Sequence, residues 1–257
     1  MIIDILTIFP SMFEGFLSNS IIKRAIAKGV VEVNVIDIRP FSNDKNKRID
    51  DYPIGGGAGL VMKCQPVLDA LKSRKKENSR TILMSPRGET FNQQIAHDLL
   101  DNNEHLIFIC GHYEGIDERI NKHVDKHLSI GDYILTGGEL ASMVISDAII
   151  RLMDGAINNE SIVDESFENG LLEYPQYTFP RVYDGDEVPQ ILFSGNHEAV
   201  RKYRLKESLK ITKEKRYDLF SKKEFNKEEL KLLKEIEENN EEPKWYIDAL
   251  YKAKKFM

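Results

Sequence analysis

The sequence predicts an α/β fold with a largely parallel sheet, and three observations carry that prediction. Short apolar segments alternate with stretches of helical period. Several of these segments are apolar at successive positions, as strands covered on both faces require. Glycine-rich or charged loops follow three of them, at the place where open parallel sheets gather ligands.

Taken in order, Ile2–Phe9 is the first strand. The opening MIIDILTIFP is too short for a membrane span, carries Asp4 and lacks a basic lead, so it reads as a buried strand and not a signal peptide. The chain therefore reads as cytosolic. Met12–Ala27 follows as a helix and Val31–Ile38 as a strand. A helix starts near Pro66, an acceptable first-turn proline, and runs through Leu71. Strands Thr81–Met84, Leu106–Cys110 and Leu128–Ile130 come next, with a helix over Asn92–Leu100. Glu139–Met153 is a long helix, apolar on most sides. This first domain is assigned to 1–157. The polar, acidic stretch that follows has neither helix nor strand period, so 158–170 reads as a flexible linker. From 171 to 257, proline-punctuated segments around Pro175, Pro180 and Pro189 lead into helices His197–Lys210, Lys227–Glu238 and Pro243–Lys254. That end is expected to be a small, mainly helical domain.

Composition narrows the function. Cys64 and Cys110 stand far apart without paired spacing, so neither a zinc site nor a disulfide framework is expected. The net charge of -6 argues weakly against a nucleic-acid partner as an average, but distribution matters more than the sum. Arg201–Tyr217 holds eight Lys or Arg against Glu207 and Glu214, interleaved with Tyr203 and Tyr217. A second basic group, Lys45, Lys47 and Arg48, lies in a loop. A solvated helix face and an RNA-facing surface are both consistent with these residues.

Three loops concentrate the chemistry: Ser85–Glu89, Gly111–Gly115 and Ile130–Glu139. Their glycines permit close backbone approach to a ligand and positive φ angles. Gly55–Gly59 is also glycine-dense, but it lacks phosphate-loop spacing and no Lys-Ser or Lys-Thr follows it. The first strand leads into Phe9-Pro10 and not a G-x-G-x-x-G turn, which disfavours a dinucleotide site. Beside Asp50, Asp51 and the basic Lys45–Arg48 group, the GGGAG run reads as a substrate-approach loop or as a flexible turn.

Six segments in order, DDYPIGGGAGLVMKCQP, LMSPRGETF, FICGHYEGIDER, IGDYILTGGELASM, ESFENGLLEYPQYTFP and VPQILFSGNHEAVRKYR, carry a resemblance. Together they resemble the bacterial tRNA (guanine-N1-)-methyltransferases, of the SPOUT class of trefoil-knot methyltransferases, from Ile2 to about Arg216. The resemblance implies a knotted first domain, one of the rare exceptions to unknotted topology. It also implies a homodimer with an interfacial active site, and methyl transfer to N1 of the guanosine just 3′ of the anticodon (position 37). S-adenosyl-L-methionine would contact Pro86, Gly111, Tyr113, Glu114, Ile130, Gly131, Asp132, Tyr133, Ile134, Leu135, Gly137 and Gly138. Apolar Ile130, Tyr133 and Leu135 suit an adenine; Tyr133 as core filler is the competing view.

The chemistry needs in-line positioning, a base for the N1 proton and a cationic partner for the neighbouring oxygen. By resemblance Arg151 is the cation, although a basic residue there also suits the helix C-terminus. Glu165 matches the base, where Asp is common in the family, and Asp164 is its alternative. Two departures stand out: Phe179 replaces a usual Arg, leaving Arg181 to supply that contact, and Leu60 replaces a usual Met. Asn196 is expected to cap the helix that begins the basic run. That helix would bind the anticodon stem by its phosphates, with the target base flipped out of its stack. The family also implies Mg²⁺, yet no metal-ligand cluster stands out in the sequence, so substrate or linker carboxylates would hold it.

Overall fold

A computed structural model describes residues 1–157 and 165–254. The chain divides into two compact units, Met1–Asn159 and Glu160–Met257. Strands of the first unit are β1 (Ile2–Thr7), β2 (Glu32–Asp37), β3 (Asp50–Asp51), β4 (Val61–Met62), β5 (Ser79–Thr90), β6 (His105–Ile109) and β7 (Lys126–Ser129). Its helices are α1 (Glu14–Ser18), α2 (Ser20–Ala27), α3 (Cys64–Arg74), α4 (Gln93–Asp101) and α5 (Glu139–Leu152). Five strands form one sheet in the order β2-β1-β6-β5-β7, and every neighbouring pair is parallel.

Helices cover both faces of the sheet because its central strand β6 is apolar on both. Along β6, Leu106 and Phe108 enter one core with Ile22 of α2, Ile95 of α4 and Ile145 of α5. Ile107 and Ile109 point the other way, into a core with Val67 and Leu71 of α3. All five β6 residues are buried. At about 1.5–3 kcal/mol for each fully buried side chain, this strand anchors the unit.

Asp4 on β1 is the polar exception, and it is fully buried. Arg74 grips it through Nε at 2.7 Å and a terminal nitrogen at 3.0 Å, and Asn34 donates at 2.9 Å. His105 Nε2 lies 2.9 Å away. Burial pushes the Asp4 pKa up, but the bonds from Arg74, Asn34 and His105 outweigh it and hold the carboxyl below its usual value of 3.8.

Three features depart from the sequence reading. The single helix expected over Met12–Ala27 is broken at Asn19, whose backbone is extended (φ -125°, ψ 158°). Asn19 Nδ2 donates to the Gly15 carbonyl at 2.8 Å, the local competition with helix that Asn offers. Second, β5 continues through Thr90: Ser85–Gly88 bulges out, and Met84 and Glu89 both pair with Leu128 of β7. Third, β3 and β4 pair as a small antiparallel ribbon that holds the glycine-rich run between them.

The second unit has a two-stranded ribbon, β8 (Val182–Tyr183) with β9 (Asp186–Glu187), and four helices among the described residues. These are α6 (His197–Lys215), α7 (Tyr217–Phe220), α8 (Lys227–Glu237) and α9 (Lys244–Lys254). As expected, Asn196 caps α6, its side chain accepting the Ala199 N–H at 3.2 Å. Asn226 and Glu229 form a reciprocal capping box on α8. Leu171, Leu209, Leu232 and Leu233 form one core cluster, and Ile191, Ala199 and Ala249 form another. Among the described residues no helix is long and apolar enough to cross a membrane.

Candidate active site

Because the sheet is parallel, the ends of β5, β6 and β7 deliver their loops to one edge. There the bulge of β5, the loop after β6 and the loop after β7 enclose a cavity of about 460 Å³. That lies within the usual range of small-molecule sites, about 300–1,000 Å³. Of the twelve residues expected at a cofactor, eleven line this one cavity: Pro86, Gly111, Tyr113, Glu114, Ile130, Gly131, Tyr133, Ile134, Leu135, Gly137 and Gly138. Asp132 is exposed and is not among the lining residues.

The glycines have identifiable tasks. Leaving β7, the chain passes close behind the other strand ends before entering α5. The Gly138 N–H donates to the Gly111 carbonyl at 2.9 Å, and His112 pairs with Gly137 as an isolated bridge. A Cβ on Gly138 would stand 2.8 Å from Cys110 Cα. At Gly131, φ is +147° and the Tyr133 ring lies where a Cβ would go. Tyr133 is 55% exposed, with its hydroxyl donating to the Ile130 carbonyl at 3.2 Å, so it is not core filler.

The glycine-rich ribbon does not line the cavity itself but is bonded to the loop that does. Glu114 N–H donates to the Leu60 carbonyl, Met62 N–H to Gly115 and Asp117 N–H to Met62, each at 3.0 Å. A Cβ on Gly59 would meet the Glu114 side chain, so the GGGAG run is fitted to the rim. Tyr113 has a left-handed backbone (φ +60°). Its hydroxyl reaches Asp50 and Arg39, and burial followed by the Asp50 carboxylate pushes its pKa up.

The lining suits a ligand with an apolar body and polar edges. Met84, Ile130, Leu135 and Ala141 supply apolar surface. Asn121 Oδ1 and His127 Nε2 are buried atoms of lining residues with no hydrogen-bond partner among the described residues, which a ligand edge could satisfy. Sequence reasoning missed these two, and it also missed a buried chain formed by Thr7, Glu139 and His112. Among the described residues no three His, Cys, Asp or Glu side chains gather as a metal-binding group.

Arg151 lies in the last turn of α5, half-buried, and is not among the cavity residues. α5 starts at the cavity with Glu139, and Arg151 is about 18 Å further along the axis at 1.5 Å per residue. Glu165, in the second unit, opens a turn in which Glu173 N–H donates to Ser166 Oγ at 2.9 Å. Asp164 falls outside the described residues.

Much of the basic run on α6 is engaged within its own unit. Arg201 pairs with Glu198 and Glu228, Lys206 with Glu235, Lys213 with Glu237, and Arg216 with Asp218. Tyr203 is half-buried against Tyr246, whereas Tyr217 is exposed. Lys210 and Lys215 are exposed and carry no ion pair among the described residues. In the first unit, Arg48 pairs with Asp44 and Lys47 donates to the Pro40 and Ser42 carbonyls.

A parallel sheet whose returning chain closes a glycine-walled cavity at its strand ends matches the SPOUT class. The family model described as tRNA (Guanine-1)-methyltransferase TrmD matches residues 1–222, and the chain belongs to this family. Named relatives agree along nearly their whole length. A tRNA (guanine-N(1)-)-methyltransferase of Dictyoglomus turgidum is 53% identical over 91% of this chain and 96% of its own. Proteins of the same name from Clostridium botulinum and Clostridium tetani are 52% and 53% identical, over 91% and 90% of this chain and 98% and 97% of theirs.

Proposed function

We propose that the protein methylates N1 of the guanosine immediately 3′ of the anticodon, position 37, in tRNA. The observation that carries the reading is the gathering of eleven residues, from three separated family motifs, around one cavity. We assign that cavity to S-adenosylmethionine, which supplies an electrophilic methyl group on a sulfonium. Ile130 and Leu135 would hold its adenine, and the backbone of Gly111, Gly131 and Gly138 would allow close approach.

Glu165, with Asp164 as the alternative, accepts the proton from guanine N1. The Arg151 guanidinium faces the guanine O6, where electron density grows as that proton leaves. Since Arg151 stands about 18 Å along α5 from the cavity end of its own chain, we assign the complete site to a homodimer. Leu140 and Val144, one turn apart on α5, and Met12 on the adjacent 3₁₀ turn Pro10–Phe13 are exposed, and they give that dimer an apolar face. The domain roles follow: 1–157 holds the donor, 158–170 links, and 171–257 grips the anticodon stem-loop in the cytoplasm. Substrate and linker carboxylates would hold Mg²⁺, and titrating the metal into the assay tests that.

Single-turnover methylation decides the function. A tRNA with guanosine 3′ of the anticodon accepts methyl, and the same tRNA with adenosine there does not. No transfer to the guanosine form sinks the proposal. Full activity in both Glu165→Gln and Asp164→Asn removes the assigned base.

A further inference from the structure

Beneath the cavity rim lies a buried carboxylate with no role in the reaction just described. Glu139, the first residue of α5, is 1% exposed, and both its oxygens are engaged. Thr7 Oγ1 donates to Oε1 at 2.7 Å, and His112 Nε2 lies 2.9 Å from Oε2. The Thr7 hydroxyl also accepts the Phe9 N–H at 2.9 Å, so its own proton is directed to Glu139. The Phe9 ring meets the imidazole edge-on at 4.8 Å. A Cβ on Gly137 would collide with both His112 and Glu139, so that glycine leaves the pair its room. The head of α5 adds a favourable field for negative charge. One side chain thus ties the end of β1, the loop after β6 and its own helix, partners 132 and 27 residues away in sequence.

We infer that Glu139 is a positioning residue for the methyl donor, acting through His112. The inference rests on the assignment of the cavity to S-adenosylmethionine. His112 lines that cavity, and its neighbour Tyr113 has a left-handed backbone. A bulky residue keeps such a conformation only where its surroundings over-determine it. The His112–Gly137 bridge and the Glu139–His112 bond are the restraints on that side. Loss of the Glu139 partner frees the ring, and the wall of the donor site relaxes with it.

The test is calorimetric titration of S-adenosylmethionine into the full-length protein, with tRNA affinity and melting temperature measured in parallel. Glu139→Gln, close in shape to the original, is expected to weaken donor binding about tenfold, the order of one lost hydrogen bond to a charge. Its tRNA affinity should stay within about twofold, since the charge lost lies under the donor wall. His112→Gln should do the same, and the double variant should be no weaker than the worse single, because the pair acts as a unit. Should Glu139→Gln fail to fold, His112→Gln carries the test alone. Equal donor affinity in wild type and folded variants overturns the inference. Donor and tRNA affinity falling together with the melting temperature also overturns it, as a purely structural role. A wild type that binds no donor removes the cavity assignment itself.

Discussion

Replacing Gly138 by alanine puts a methyl group where the head of α5 passes the ends of β5 and β6. The new carbon would stand 2.8 Å from Cys110 Cα, 3.0 Å from Met84 Cβ and 3.2 Å from the Gly111 nitrogen. Carbon atoms in contact settle at about 3.5–4.0 Å, so backbone must part by roughly half an ångström or more. Overpacking of this kind costs about 1–3 kcal/mol. Alanine also restricts the unfolded chain, which returns about 0.4–1 kcal/mol. The clash wins, because two of the three atoms it meets are backbone. A net loss of about 1–2 kcal/mol lowers the melting temperature by roughly 2–8 °C for a chain of this size. Gly15→Ala is the comparison: exposed in α1 with no heavy atom within 4 Å, it gains only the entropic benefit and should melt slightly higher. Calorimetric melting of both variants reads the difference. If Gly138→Ala melts at or above the wild type, the passage is not packed as described.

Three further outcomes are expected. Asp4→Asn should destabilise the protein by about 3 kcal/mol, the low end for a broken buried pair, since Arg74 is partly exposed. Because the Asp4 pKa is held below 3.8, its contribution is complete above about pH 5 and lost as pH falls through the folded-state value; denaturant melts of both proteins across pH would show the gap closing in acid. Gly59→Ala drives a Cβ to 2.5 Å from the Glu114 side chain at a φ of +81°, so donor affinity should fall several-fold while the second unit's circular dichroism is unchanged. Lys210→Ala combined with Lys215→Ala should flatten the salt dependence of tRNA binding by about 1–2 units of slope, whereas Arg201→Ala should change it less, since that guanidinium is already held by two glutamates.

The strands of the sheet are legible because burial on both faces forces apolar residues at successive positions, as in Leu106–Ile109. The continuation of β5 is not: Ser85–Thr90 is polar, and only pairing with distant Leu128 and Ser129 makes it strand. The break at Asn19 had a signal in the run Ser18-Asn19-Ser20, residues whose side chains compete with the helix for backbone groups. The cavity glycines stand out because close approach leaves no substitute for them. Glu139 carries no such mark. At a helix start it looks like any favourable acidic residue, and its role depends on Thr7, far away in sequence. The basic run was legible as charge but not as available charge, because three of its acidic partners, Glu228, Glu235 and Glu237, come from a later helix.

The three backbone bonds between the β3–β4 ribbon and the segment Glu114–Asp117 have a mechanical corollary. Ribbon and rim behave as one plate, so neither can fray without the other. Amide protons of Met62, Glu114 and Asp117 should exchange with solvent at a common rate, set by a single opening. Whatever presses on the protruding Tyr52 and Ile54 at the ribbon tip is therefore felt at the mouth of the cavity.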